Sequence, residues 1–416
     1  MKVVVLHPTG NKNVRAVITG LSNAGMLSEF HTTLAIDPKS SLLKYLPDQI
    51  KQELLRRTYP FMNKSQIISH PFRELGRMLF GKLGLHWFIR PENGWSSIDA
   101  VYQSLDRAVS KRLINAPKDG IDGVYGYEDG ALECFSAAKK IGIKCIYELP
   151  IAYWETGRDL MRAEALRNPA WEVTLGGGTR DSVAKLERKT KELELADVVV
   201  VSSSFVKDSL PDWAKSKKII MSPFGSPLTT ETDDSIASKA STGSNGKLRV
   251  LFAGSMGQRK GLCDLFDAVK LLKRDDVELV VMGSLLASMD FYRSELPTFT
   301  YEAGRSNEQV LALMRSCDVF CLPSIVEGRA LVMQEAMSQG LPIIITPNTG
   351  GSDLVIDGET GFLVPIRSPD QIAKKIEWFL DNRDKIPEMG RHARKHAATY
   401  TWENYSSSIV NGIKNL

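Results

Sequence analysis

No apolar run in the sequence approaches the roughly 20 residues that a bilayer-crossing helix needs. The excess of one charge is equally small: 53 Lys and Arg face 49 Asp and Glu, and a net +4 over 416 residues gives no reason to expect nucleic acid as a partner. Cysteine is scarce and odd in number. Cys134, Cys145, Cys263, Cys317 and Cys321 are scattered without metal-ligand spacing, which argues against a disulfide framework and fits structural thiols in a reducing cytoplasm. There is no repeat at solenoid periods and no Gly-Lys-Ser/Thr to complete a P-loop. The opening Met1-Lys2-Val3-Val4-Val5-Leu6 lacks the longer apolar region of a secretory leader and reads as a first strand. What remains is ordinary globular composition at a length beyond what one core usually supports, so two domains are expected.

The most informative stretch runs from Asp318 to Thr346. Two apolar runs, Val319-Phe320-Cys321-Leu322 and Ile343-Ile344-Ile345, are bounded by Pro, Ser and Gly and read as buried parallel strands. Between them Leu331 to Gln339 reads as a helix stopped by Gly340, with Glu327 in the loop before it and Glu335 about two turns into it. Ligands of open α/β sheets sit at that place, beyond the carboxyl ends of strands and against helix N-termini. A bare Glu-x7-Glu would be read as two solvated carboxylates. Set between these strands, Glu327 and Glu335 are expected to accept sugar hydroxyls, and the N–H groups of Ala330, Leu331 and Val332 to face an anion such as a diphosphate.

The motifs Pro323-Ser324, Glu327-Gly328-Arg329-Ala330-Leu331, Glu335-Ala336, Gly340-Leu341-Pro342, Gly350-Gly351 and Asp357-Gly358-Glu359-Thr360-Gly361 together resemble the signature of retaining glycosyltransferases of family 4. The resemblance is specific over about residues 248 to 385 and departs at Arg329 and Ala330, where the family usually has Phe and Gly. It implies an α/β chain of the GT-B fold, with two Rossmann-like domains facing each other across a cleft. The divisions expected are an acceptor-binding domain at 1–226, a linker at 227–247, a nucleotide-sugar-binding domain at 248–398, and a helix at 399–416 returning to the first domain.

The second domain opens with the strand Leu248 to Ala253 and the loop Gly254-Ser255-Met256-Gly257-Gln258-Arg259-Lys260-Gly261. Glycines admit a phosphate to the backbone, and Arg and Lys neutralise it. Relatives place Arg directly after the first Gly, where Ser255 stands, and Lys before the last, where Lys260 stands; Arg259 is the candidate for the missing guanidinium. The resemblance implies a sugar moved, with retention, from a nucleoside diphosphate sugar to a saccharide or lipid-linked acceptor. Lys260 and Arg259 would hold the diphosphate, Glu335 the ribose and Glu327 the donor sugar, with front-face attack and neither metal nor cofactor expected. An epimerase or phosphorylase of similar fold, and an idle donor-binding subunit, are the alternatives.

On the acceptor side the resemblance places the loop after the first strand in the cleft, with Gly10 and Arg15 near the chemistry. Where many relatives have a cleft His, the loop Glu148-Leu149-Pro150-Ile151-Ala152-Tyr153-Trp154 has none; Glu148, Tyr153 and Trp154 are the available substitutes, with Trp154 more safely read as core. A second strand is expected at Thr32 to Ile36. Residues 51–90 interleave Lys51, Arg56, Arg57, Lys64, Arg73, Arg77, Lys82 and Arg90 with large apolar side chains, as fits a surface resting on anionic headgroups; core packing is the alternative. That places the chain in the cytoplasm, peripheral on the inner face of the membrane if the lipid reading holds. Residues 155–192, broken at Gly176-Gly177-Gly178, read as acceptor binding or a mobile edge, and Thr229 to Gly246 as a linker.

Overall fold

The computed structural model describes the chain except for residues 46, 116–119, 177–178, 228–245 and 415. The expected linker over Thr229 to Gly246 therefore lies, apart from Gly246, outside the described residues, as do Gly177 and Gly178.

Seven strands form the first sheet: β1 (Val3–Leu6), β2 (Leu27–Thr32), β3 (Ile67–Ser69), β4 (Gly123–Tyr127), β5 (Lys144–Leu149), β6 (Val198–Val201) and β7 (Lys218–Met221), in the order β3-β2-β1-β4-β5-β6-β7. Neighbouring strands are parallel, with Val5 of β1 opposite Phe30 on one side and Tyr125 on the other. Every residue of β1 and β6 is buried, because helices cover both faces. The second strand lies earlier than the expected Thr32 to Ile36. Gly25, at φ +64°, turns the chain straight from the first helix into Leu27.

The second sheet is built from β8 (Leu248–Ala253), β9 (Val277–Met282), β10 (Thr300–Glu302), β11 (Val319–Leu322), β12 (Ile343–Ile345) and β13 (Gly361–Leu363), all parallel, in the order β10-β9-β8-β11-β12-β13. In both sheets the order reverses beside the first strand, between β1 and β4 and between β8 and β11. Such switch points open the crevices that hold ligands.

The helices Pro369–Asp381 and Ile386–Ala397 pack into the second core through Ile372, Ile376, Phe379, Met389 and Ala393. The helix Trp402–Lys414 instead lies on the first domain, where Tyr405, Ile409 and Ile413 join Val14, Val17 and Ile18. A second exchange runs the other way. After the helix Trp154–Arg167, the turn Pro169–Thr174 carries Trp171 into the core of the second domain, where the indole N–H donates to Glu295 at 3.1 Å. Glu164 accepts from Gln258 at 2.7 Å and from Arg367, and Arg167 pairs with Asp264. Residues 154–174 thus bridge the two domains.

Gly328 sits at this interface. A Cβ built on it would lie 1.8 Å from the Pro150 carbonyl oxygen, so Gly328→Ala must part the two domains locally. A loss of about 1–3 kcal/mol or more is expected, read as a lower melting temperature.

Candidate functional site

The carboxyl ends of β8 and β11 build the first cavity, of about 590 Å³. Gly261, at φ +75°, lets the loop after β8 close against the loop after β11: a Cβ there would lie 2.0 Å from the Pro323 carbonyl oxygen. The fold of that turn brings both cations of the loop onto one carboxylate. Lys260 Nζ stands 2.6 Å from Glu327 Oε1 and Arg259 Nη1 stands 3.0 Å from the same oxygen. Lys260 and Glu327 keep 13% and 12% of their side chains exposed, enough to be reached from the cleft but too little to be screened as a surface pair is.

Gly254, Ser255, Ala330, Leu331, Val332 and Glu335 line the same cavity, so the sequence-expected donor residues are brought together. Two details differ. The Ala330 N–H is spent on the Thr349 carbonyl at 3.2 Å, which leaves Leu331 and Val332 as first-turn donors of the helix Leu331–Ser338. Glu335 is one turn into that helix, where its Oε1 accepts from Asn307 at 3.3 Å and faces Lys12 across the cleft at 3.8 Å. Arg329 is buried and occupied: it donates to Gln334, the Gly350 carbonyl and Asp353, and lies over the Tyr400 ring. These bonds fix the loop, and Arg329 is also among the residues that line the cavity. Arg305 and Phe224 also line it, and neither was singled out from the sequence as a site residue.

Across the cleft, the ends of β1 and β4 open a second cavity of about 520 Å³, and Phe224 lines both. The expected acceptor residues are not its walls. Glu148, 2% exposed, accepts from Asn13 and Tyr405 at 2.9 Å and from Tyr125 at 2.6 Å, and burial raises its pKa. Tyr153 is fully buried, with its hydroxyl 3.1 Å from Thr190 Oγ1. Arg15 gives its N–H groups to the carbonyls of Gly10, Thr58 and Arg56, and Gly10 packs against Tyr59. None of the four lines this cavity. Glu148→Ala, leaving the buried hydroxyls of Tyr125 and Tyr405 unsatisfied, is expected to cost about 1–3 kcal/mol of stability by chemical denaturation.

The residues that do line this cavity include His7, Asn11, Asn13, Tyr127, Glu128 and Asp129. Burial holds His7 neutral, its pKa lowered to about 4, and pushes Glu128 up to about 7. Asp129 has φ +71°, a conformation that side chains rarely adopt and that functional sites tend to keep. The signal that could have found them is Glu128-Asp129-Gly130 placed straight after an apolar strand.

Residues 234–396 match the model of the family Glycosyl transferases group 1. That match spans the second domain. Among curated proteins, a D-inositol 3-phosphate glycosyltransferase of Paenarthrobacter aurescens is 31% identical over 179 residues, which is 40% of this chain and 43% of the relative. A capsular polysaccharide biosynthesis glycosyltransferase, CapM of Staphylococcus aureus, is 26% identical over 51% of this chain and 59% of its own. The chain thus spans about half the length of the curated relatives it matches. HepE of Anabaena, solved in complex with UDP, superposes over the whole of both chains with a TM-score of 0.61 at 15% identity, which identifies the fold as GT-B.

Proposed function

We propose that the chain is a retaining glycosyltransferase of family 4 that moves a sugar from a nucleoside diphosphate sugar to an acceptor hydroxyl. The observation that carries this reading is the convergence of Lys260 and Arg259 on Glu327 at the mouth of β8 and β11. A diphosphate entering there meets two cations and the first turn of the helix Leu331–Ser338, which stabilise negative charge as it develops on the leaving group. This needs no metal. Glu327, released from its cations, accepts donor-sugar hydroxyls, and Glu335 accepts those of the ribose. The acceptor attacks from the face the diphosphate leaves, so Glu327 is not a nucleophile. The UDP complex of HepE supports a nucleotide sugar as donor, and the likeness to CapM, a capsular polysaccharide biosynthesis glycosyltransferase, supports a saccharide as acceptor.

The acceptor is proposed to be lipid-linked, presented at the inner face of a membrane. Phe72, Leu79, Leu83 and Trp87 are 80%, 55%, 61% and 76% exposed. Lys82 and Arg90 stand exposed beside them, and Ile89 and Ile98 carry this surface to the edge of the second cavity. Apolar side chains ringed by cations fit anionic headgroups. Leu79→Glu with Trp87→Glu is expected to lower sedimentation with phosphatidylglycerol vesicles at least tenfold; unchanged sedimentation would remove the membrane from the reading.

Turnover tests the enzyme. UDP-, GDP- and ADP-sugars are offered with and without membrane lipid extract, and nucleoside diphosphate release is followed. Release from one donor, raised by lipid, is the expected result. Donor consumed equally without acceptor points to an epimerase or hydrolase, and binding without release to an idle subunit.

A further inference from the structure

The turn that carries Arg259 and Lys260 is held from two sides, and one of them is the other domain. Gln258, fully buried, opens the turn Gln258–Lys260. Its backbone N–H donates to Thr174 Oγ1 at 3.0 Å, and its side-chain amide donates to Glu164 Oε2 at 2.7 Å and to Asp264 Oδ2 at 2.9 Å. The oxygen of the same amide accepts from the Cys263 N–H at 3.0 Å. Glu164 and Thr174, both buried, lie in the chain between β5 and β6 of the first sheet, whereas Cys263 and Asp264 stand in the helix Leu262–Leu272 directly after the turn. At Gly257 the approach is closer still: a Cβ there would lie 2.5 Å from the Thr174 carbonyl oxygen.

The loop that carries Glu327 rests on the same segment. Ile325 and Val326, just before it, pack with Ala152, Met161 and Leu175 in a small core of their own, apart from the cores of the two sheets. They also bind the turn: the Ile325 N–H donates to the Arg259 carbonyl at 2.9 Å, and Arg259 Nη1 donates to the Val326 carbonyl at 3.1 Å. Beneath it, two buried acids, Glu164 and Asp264, would repel if they stood alone. Arg167 pairs with both, Arg367 pairs with Glu164, and Gln258 gives one proton to each acid. Such a net holds one geometry, because moving any member strands another without a partner. Whatever orients Gln258 therefore orients the two residues that follow it, Arg259 and Lys260.

We propose that Glu164 and Thr174 are positioning residues for the diphosphate of the donor: acting through Gln258, they aim Lys260 and Arg259 into the cavity, so that anion affinity depends on the docking of the two domains along residues 154–174. The inference rests on the donor-site reading above. A diphosphate then meets cations already set in direction, and a misplacement of about 1 Å in such groups can cost about 100-fold in rate. Neither Glu164 nor Thr174 lines the donor cavity, so the nucleoside part of the ligand should bind without them as before.

The test titrates UDP, GDP and ADP into the full chain by calorimetry, and each nucleoside by competition against the diphosphate that binds. Thr174→Val keeps the shape and removes the oxygen that accepts from Gln258. Glu164→Gln sets an N–H against either Gln258 or Arg367. Each variant is expected to weaken the diphosphate by about tenfold or more with its nucleoside within about twofold of wild type, and Thr174→Ser to restore it. Melting temperatures are recorded beside the titrations, which are run well below them, and Thr174→Val decides alone if Glu164→Gln does not fold. A lower melting temperature with the ratio of the two affinities unchanged overturns the proposal. So does equal weakening of diphosphate and nucleoside, or a Thr174→Ser chain as weak as Thr174→Val. If the wild type binds none of the three diphosphates, the donor-site reading falls and takes this inference with it.

Discussion

Lys260→Ala is expected to lower nucleoside diphosphate release by about 100- to 1,000-fold, or about 2.7–4 kcal/mol of transition-state stabilisation. Lys260 reaches into the donor cavity at the start of a turn fixed by Gly261, and no other residue of that turn places an ammonium there. Its ion pair with Glu327 is 2.6 Å long in the ligand-free chain. The substitution also leaves Glu327, 12% exposed, with Arg259 as its remaining cation, so a modest fall in melting temperature should accompany the loss of turnover. Steady-state turnover beside a thermal melt separates the two effects. A variant that keeps full turnover would remove Lys260 from the chemistry.

Glu327→Gln should act in opposite directions on binding and on turnover. In the ligand-free chain Glu327 neutralises both Lys260 and Arg259, and a diphosphate must compete with it for them. Removing that negative charge without changing the shape frees the cations. At separations near 4 Å a unit charge is worth about 1 kcal/mol in water and about 4 at an intermediate dielectric, so nucleoside diphosphate should bind on the order of tenfold tighter. Turnover should fall roughly 100-fold, because a hydrogen bond from a substrate hydroxyl to a charged acceptor is worth about 1.5–3 kcal/mol and the amide replaces it poorly. Calorimetry with the diphosphate alone and turnover with the intact donor give the two numbers. Weaker diphosphate binding in this variant would show that Glu327 does not oppose the anion.

The cavity at the ends of β8 and β11 was legible because its information is local. Lys260 is announced by the glycines on either side of it, and Glu327 and Glu335 by an apolar run, a Pro-Ser and a Gly-Leu-Pro within some thirty residues. The alternation of strands and helices was legible for the same reason. What escaped depends on partners far apart in the chain. Glu148 looked like a cleft residue by position, yet Tyr405 reaches it from 257 residues away and completes a buried network. Trp171 looked like part of an exposed charged stretch, and only the second domain's Phe266 and Tyr292 explain where it goes. Arg329 stood out in the sequence only as a departure from the family's usual Phe. Its partners Gly350 and Asp353 lie 21 and 24 residues on, and they make it a clamp. Charge within one segment can be read; which charges meet across a fold cannot.

The central claim, that the cleft of the second domain is a nucleotide-sugar site organised by Lys260, is tested most directly by calorimetric titration of UDP, GDP and ADP into the wild-type chain and Lys260→Ala. Saturable binding of one of the three at one site per chain, weakened at least tenfold in the variant, is the expected result. Binding of none, or binding that Lys260→Ala leaves unchanged, would contradict it.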